Sequence, residues 1–158
     1  MKTKQLKIQW TTALILLVST LLFTACGKKD SSPSLSGKSA KITFSVSGTF
    51  DKASGDDFSI GAGGGKLDGT YVDWKVNGAT EIGTVVTVGS DFVDGGISNA
   101  VIESVQKFSA GSVTISSFNI GGDPFTVTYK VEVDGKIIDE KSVTIADGDD
   151  PLYKNYTL

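Results

Sequence analysis

The side chains that could do chemistry in this chain are few. There is one cysteine, Cys26, no histidine and no arginine, against 18 aspartates and glutamates in 158 residues. Without imidazole, neither a Ser-His-Asp nor a Cys-His nucleophile can be assembled. Imidazole-ligated zinc, copper and non-haem iron centres go with them. Carboxylate chemistry is left, in two forms. A facing pair of carboxyls can cleave a glycosidic bond, but it needs a cleft that a short-looped domain has little chain to build. The sequence therefore reads as non-enzymatic, with no catalytic residue and no cofactor site. Carboxylates also ligate hard cations such as calcium, and Asp147-Gly148-Asp149-Asp150 places three within four residues, with Asp56-Asp57 and Asp91/Asp94 as further pairs. None has EF-hand spacing. The expectation is a solvated turn and no metal, with Asp147, Asp149 and Asp150 the first place to look if a cation binds.

Two other patterns suggest ligands. Gly61-Ala-Gly-Gly-Gly-Lys66 resembles a phosphate-binding loop only loosely. Ile60 stands where the first glycine is needed, and Leu67 where a Walker motif has Ser or Thr. A flexible hairpin loop is expected there. Among the aromatics, Trp74 shares its parity with Val72 and Val76 and should be core. Tyr71, Tyr153 and Tyr156 fall on polar faces or near the C-terminus, where they either cover sheet ends or offer rings on which a sugar could stack.

Cys26 is defined by what precedes it. Lys2, Lys4 and Lys7 are followed by the apolar run Ala13–Phe23 and then Thr24-Ala25, the order of a secretory signal peptide spanning residues 1–25. The run is shorter than the roughly 20 residues that span a bilayer. Phe23-Thr24-Ala25-Cys26 resembles the lipobox of bacterial lipoproteins, in Thr24 and Ala25 though not in Phe23. That resemblance implies acylation of Cys26 before the signal is cut away. Ordinary cleavage after Ala25 would instead leave an exposed thiol, a liability in an oxidising compartment. One acyl chain binds a membrane only reversibly, whereas two or three hold firmly, so the membrane is the first expected partner. Gly27 stands where aspartate would retain a Gram-negative lipoprotein at the inner membrane, which implies the outer membrane. Periplasmic and surface-facing display both fit.

Residues 26–39 are the lipidated cysteine and a tether, too polar and too rich in small residues to fold. The 13 residues from Gly27 span about 45 Å fully extended and nearer 20 Å as a flexible chain. Residues 40–158 form one domain. Loss of the three signal-peptide lysines leaves 12 against 18 acids, a net charge of −6. Such a surface repels phosphate backbones, so nucleic acid is excluded as a partner.

From Ala40 onward the hydrophobic period is two. Ile42, Phe44 and Val46 alternate with polar residues, as do Val72, Trp74 and Val76 before the Asn77-Gly78 turn. Ile82, Thr84, Val86 and Val88 form a third run, and Phe125, Val127, Tyr129, Val131 and Val133 the longest, before Asp134-Gly135. Ile138 differs in parity from Val143 and Ile145, which predicts a bulge within Asp139–Ser142 on an edge strand blunted by Asp139-Glu140-Lys141. A similar switch after Val113 and Ile115, to Phe118 and Ile120, predicts a bend at Ser116-Ser117. No helix of useful length is expected after the signal-peptide helix.

The fold class that follows is all-β, a two-sheet antiparallel sandwich of about 8–9 strands. Tyr71-Val-Asp-Trp-Lys-Val-Asn-Gly78 followed by Phe92-Val-Asp-Gly-Gly96 resembles the middle of immunoglobulin-like or PKD-like domains, without the inter-sheet disulfide of the antibody branch. The expected role is a lipid-anchored binding or adhesion module of the bacterial cell envelope, with envelope proteins or glycans as partners. The alternative is an accessory subunit recruited through strand-edge pairing at Asp139–Ser142.

Overall fold

The computed structural model describes residues 37–94 and 98–158. Cys26, the Phe23-Thr24-Ala25 motif, the signal segment and most of the tether lie outside the described residues, as do Gly95 and Gly96. The described chain is almost entirely β, with ten strands: β1 Ala40–Gly48, β2 Asp57–Gly65, β3 Trp74–Val76, β4 Ala79–Glu81, β5 Val85–Gly89, β6 Asn99–Ser104, β7 Ala110–Phe118, β8 Phe125–Val133, β9 Lys136–Ile145 and β10 Leu152–Thr157. They form two antiparallel sheets, one of six strands in the order β4-β3-β6-β1-β8-β9 and one of four in the order β10-β7-β2-β5. Two amphipathic sheets face each other because each has one apolar face to remove from water.

The alternation written in the sequence is what fills the core. Ile42, Phe44 and Val46 of β1 are buried, as are Phe125, Val127, Tyr129 and Val131 of β8, against Phe58, Ile60, Val113 and Ile115 of the other sheet. Each such side chain contributes about 1.5–3 kcal/mol on burial. The outward face of β8 is wet, with Thr126 and Thr128 bonded across to Thr144 and Ser142 of β9 at 2.9 Å each. Both expected hairpins form. Asn77 and Gly78 have φ of 49° and 85°, and Asp134 and Gly135 have 49° and 74°. Positive φ at both central positions gives the turn whose twist matches the flanking strands.

Several expectations are corrected. The run Ile82 to Val88 is not one strand: β4 ends at Glu81 in the larger sheet, β5 begins at Val85 in the smaller, and Ile82 is 91% exposed in the crossing. Gly61–Gly65 is not a loop but the end of β2, paired throughout with β7 and as far as Gly63 with β5. The reason is Phe108, fully buried beside Trp74. Side chains at Gly64 or Gly111, which face each other across β2 and β7, would come within 3.1 Å of its ring. The glycine pair is a shelf for an aromatic ring. No bend interrupts β7. Ser117 and Asn119 keep the inward parity while Ile120 is exposed, because their polar atoms are bonded at the sheet end. The β9 bulge exists one residue early: Val131 pairs with Asp139 and Glu132 with Ile137, leaving Ile138 extra. It does not bury Ile138, which stays 47% exposed. A short helix, α1 Ser90–Asp94, follows β5. The last tether residues are already docked, since Lys38 exchanges backbone hydrogen bonds with Phe108 and Ser39 donates to Asp134.

Candidate functional site

The direction of the strands sorts the charges. The chain enters the sandwich at Lys38, beside Lys107 and the Asp134-Gly135 hairpin with Lys136. The connections Gly48–Asp57, Asn119–Pro124 and Ala146–Pro151, together with α1, lie at the other end. Nine aspartates fall there, namely Asp51, Asp56, Asp57, Asp91, Asp94, Asp123, Asp147, Asp149 and Asp150, with Lys52 as their only close lysine in these segments. Acidic pairs far apart in sequence are thus neighbours in space.

Most of these carboxylates have structural work. Asp51 caps the 3-10 turn Lys52–Ser54, accepting from the Ala53 amide at 2.9 Å and the Ser54 hydroxyl at 2.5 Å, which hold its pKa below the ordinary value. Asp57 accepts from the buried Ser90 hydroxyl. Lys52 pairs with Asp91 on the surface, where ion pairs contribute little. Asp147 accepts from the Gly121 amide and Asp149 from the Ala146 amide, both at 2.9 Å, while Asp150 is exposed. The Asp147–Asp150 loop therefore staples β9–β10 to β7–β8. Among the described residues no three acidic side chains gather as a metal-holding group.

Asp56 is different. It is 2% exposed, and its Oδ2 accepts from the Asp51 amide at 2.8 Å, but its Oδ1 is buried without a protein partner. The carboxylate lies against the 119–123 connection, where a Cβ on Gly122 would sit 2.9 Å from Oδ1. Asn119, 5% exposed, shapes that connection by donating to the Asp123 carbonyl at 2.9 Å and accepting from the Gly122 amide at 3.0 Å. A buried carboxylate oxygen with no donor carries a desolvation cost. The sequence pointed to Asp56-Asp57 only as one acidic pair among several. The partnership with Gly122 and Asn119 is made by loop packing across about 60 residues and leaves no local pattern.

Two further features stand at the long edges of the sandwich. Between β4 and β5 runs a groove of about 300 Å³, mixed in character, lined by Trp74, Ile82, Val85 and Phe92 but also by Glu81 and Thr87. Trp74 is core as expected, yet its indole N–H has no acceptor. On the opposite edge, Tyr156 of β10 donates to Asp139 of β9 at 2.6 Å, and Tyr129 of β8 reaches both groups at 3.3–3.4 Å. The Tyr156 hydroxyl lowers the pKa of Asp139, while burial and then the Asp139 hydrogen bond raise that of Tyr156. Tyr71 and Tyr153 are each 63% exposed. No structure element brings Tyr156 and Tyr153 together as one platform, since adjacent parity separates Tyr153 from the clasped ring. Glu103 and Glu132 both line a surface groove of about 360 Å³. Each holds a lysine, Lys41 at 3.1 Å and Lys130 at 3.5 Å.

The architecture defines the class first: an all-β sandwich with one acidic pole. Three solved structures share this fold. A calcium-bound protein of Parabacteroides distasonis aligns at 18% identity and a TM-score of 0.58, over 76% of this chain and 92% of that one. A domain of unknown function, DUF4425, from Bacteroides vulgatus aligns at 15% identity and 0.54, over 77% and 94%. A DUF4425 family protein of Bacteroides ovatus aligns at 16% identity and 0.50, over 77% and 94%. These superpositions establish a shared fold. No protein-family model matches the chain, and no curated protein matches its sequence.

Proposed function

We propose that this protein is a lipid-anchored, non-enzymatic binding module of a bacterial outer membrane, held by acyl chains on Cys26 and offering its acidic loop pole to a ligand. The observation that carries this reading is the polarity of the sandwich. The chain comes in from the anchor beside Lys38, Lys107 and Lys136, and the nine aspartates lie at the far ends of the strands. The anchored side is mixed in charge, with Asp134, Glu103 and Glu132 beside its lysines, whereas the carboxylates on the free side suit a cation or a basic partner surface. The calcium-bound state of the Parabacteroides neighbour favours a cation, and the orphaned Asp56 oxygen with its Gly122 cradle fits one. Two experiments test the anchoring. Cys26→Ser should move the protein from the membrane fraction to the soluble fraction, or stall its processing, and unchanged membrane association would refute the lipid anchor. Protease treatment of intact cells, with lysed cells as control, then decides between surface and periplasmic display.

A second reading, recruitment of a partner strand at a sheet edge, rests on β5 rather than on Asp139–Ser142. The β9 edge carries charge and a bulge, the devices that discourage pairing. The β5 edge, Val85–Gly89, is uncharged and borders the groove with exposed Ile82, across from Glu81. Crosslinking from position 85 to an envelope protein, absent from position 141, is the expected outcome.

A further inference from the structure

We infer that Asp56 is the ligand of a hard divalent cation of the calcium class, seated between the Gly48–Asp57 and Asn119–Pro124 connections. The inference rests on the acidic-pole reading and names its ligand and its position, away from the Asp147–Asp150 turn that the sequence favours.

Three observations combine. First, the carboxylate is 2% exposed with Oδ1 unpartnered. Carboxylates are acceptors only when ionised, so the group lacks a donor or a positive charge that the protein itself does not supply. The lysine of these connections does not serve, since Lys52 is turned outward to Asp91. Second, the neighbouring backbone is shaped around the carboxylate. Gly122 is the residue facing it, and any side chain there would collide with Oδ1 at 2.9 Å and with Oδ2 at 3.1 Å. Third, both connections are held in place. The Asp51 amide donates to Asp56 Oδ2 at 2.8 Å and the Asp56 amide to the Asp51 carbonyl at 3.2 Å, and Asn119 fixes the facing connection from within.

Oxygen ligands with one buried charge suit calcium better than a transition metal. Because no three acidic side chains gather here among the described residues, the other ligands would be carbonyl or amide oxygens and water. A site with so few charges belongs with weak extracellular calcium modules, whose dissociation constants are roughly 10⁻⁴–10⁻³ M. Its effect would be to clamp together two loops that each cross between the sheets and so to set the shape of the acidic pole.

The test uses the full chain in detergent, treated with chelator and then titrated with calcium chloride. At about 10 mM calcium the melting temperature should rise by roughly 5 °C. Backbone amide shifts should concentrate in Asp51–Asp57 and Asn119–Asp123. Asp56→Asn, nearly isosteric but uncharged, should lose both responses, and Asp147→Asn should keep them. If Asp56→Asn does not fold, the wild-type amide map decides alone. Shifts confined to Ala146–Pro151 would overturn the Asp56 site and leave the acidic-pole reading standing. No response to calcium anywhere would overturn the inference, whereas failure of the Cys26→Ser experiment would refute the anchoring with no bearing on this titration.

Discussion

The two long edges of this sandwich solve the same physical problem in opposite ways. Where β9 and β10 meet, the seam is closed by polar groups: Tyr156, Tyr129 and Asp139 share hydrogen bonds across the sheets, and the outer strand carries Asp139, Glu140, Lys141 and a bulge at Ile138. Where β4 and β5 meet, the seam is open, with Ile82 91% and Val85 59% exposed beside Glu81 and Thr87, and the buried Trp74 N–H unpaired beneath it. Edge strands attract other chains unless something prevents it. The first edge has charge and a bulge, and the second only its short strands, three residues in β4 and five in β5, so the two edges are protected unequally. An unsatisfied donor beside exposed apolar surface is a cost that folding alone does not explain.

The largest effects should come from removing the aromatic ring under each edge. Trp74→Ala and Tyr129→Ala each take a fully buried side chain from the core, and each should cost about 3–5 kcal/mol, lowering the melting temperature by more than about 10 °C. The comparison becomes sharper with conservative changes. Tyr156→Phe removes only the hydroxyl of the closed edge and should cost about 1 kcal/mol, toward the low end for a bond to a charged group because the site is partly exposed. Asp139→Asn should cost a similar amount, and the double variant should cost less than the sum, because both changes break the same bond. Additive losses in denaturant unfolding would mean that the three groups do not act as a unit.

How much of this was legible in the sequence depends on the distance over which each feature is made. Alternation in β1 and β8, the Asn77-Gly78 and Asp134-Gly135 turns, the burial of Trp74 and the charged β9 edge are local, and all were readable. The features that misled are those decided by partners far away. Gly61–Gly65 has the composition of a loop, yet it is strand because Phe108, over 40 residues on, needs the space beside Gly64 and Gly111. Ser117 and Asn119 look like a loss of hydrophobic parity, yet they stay inward because the Asp57 and Asp123 carbonyls accept their hydrogen bonds. Likewise Asp147–Asp150 is the densest acidic stretch, but its Asp147 and Asp149 are engaged with backbone amides, and the buried carboxylate oxygen left without a donor is Oδ1 of Asp56.

The closed edge should also respond to pH. The Asp139 pKa is lowered, mainly by the Tyr156 hydroxyl, so its contribution is present above the unfolded carboxylate value of about 3.9 and is lost as pH falls through the lower folded value. The pKa values of Tyr156 and Tyr129 are raised, mainly by burial. Their contribution is complete below about pH 10 and is lost as pH rises through the folded values. Wild type should therefore exceed Asp139→Asn in melting temperature at neutral pH, and the gap should shrink below about pH 4. A gap constant from pH 2 to pH 8 (roughly, the range of a standard melt series) would show that the clasp does not depend on the charge of Asp139.

The smallest change in stability should accompany the most telling change in behaviour. Ile82 and Val85 are exposed, so replacing both with lysine should alter unfolding free energy by no more than about 0.5 kcal/mol per site. The same pair of changes gives the β5 edge the charge that β9 already has and should abolish any partner crosslinked from position 85. Adding charge to β9 instead, at Ile137 and Ile138, should leave that crosslink intact, since those residues border a seam already closed by Tyr156 and Asp139. If the β5 lysines fold normally and crosslinking persists, the open edge is not a recruiting surface, and the asymmetry between the two edges would concern packing alone.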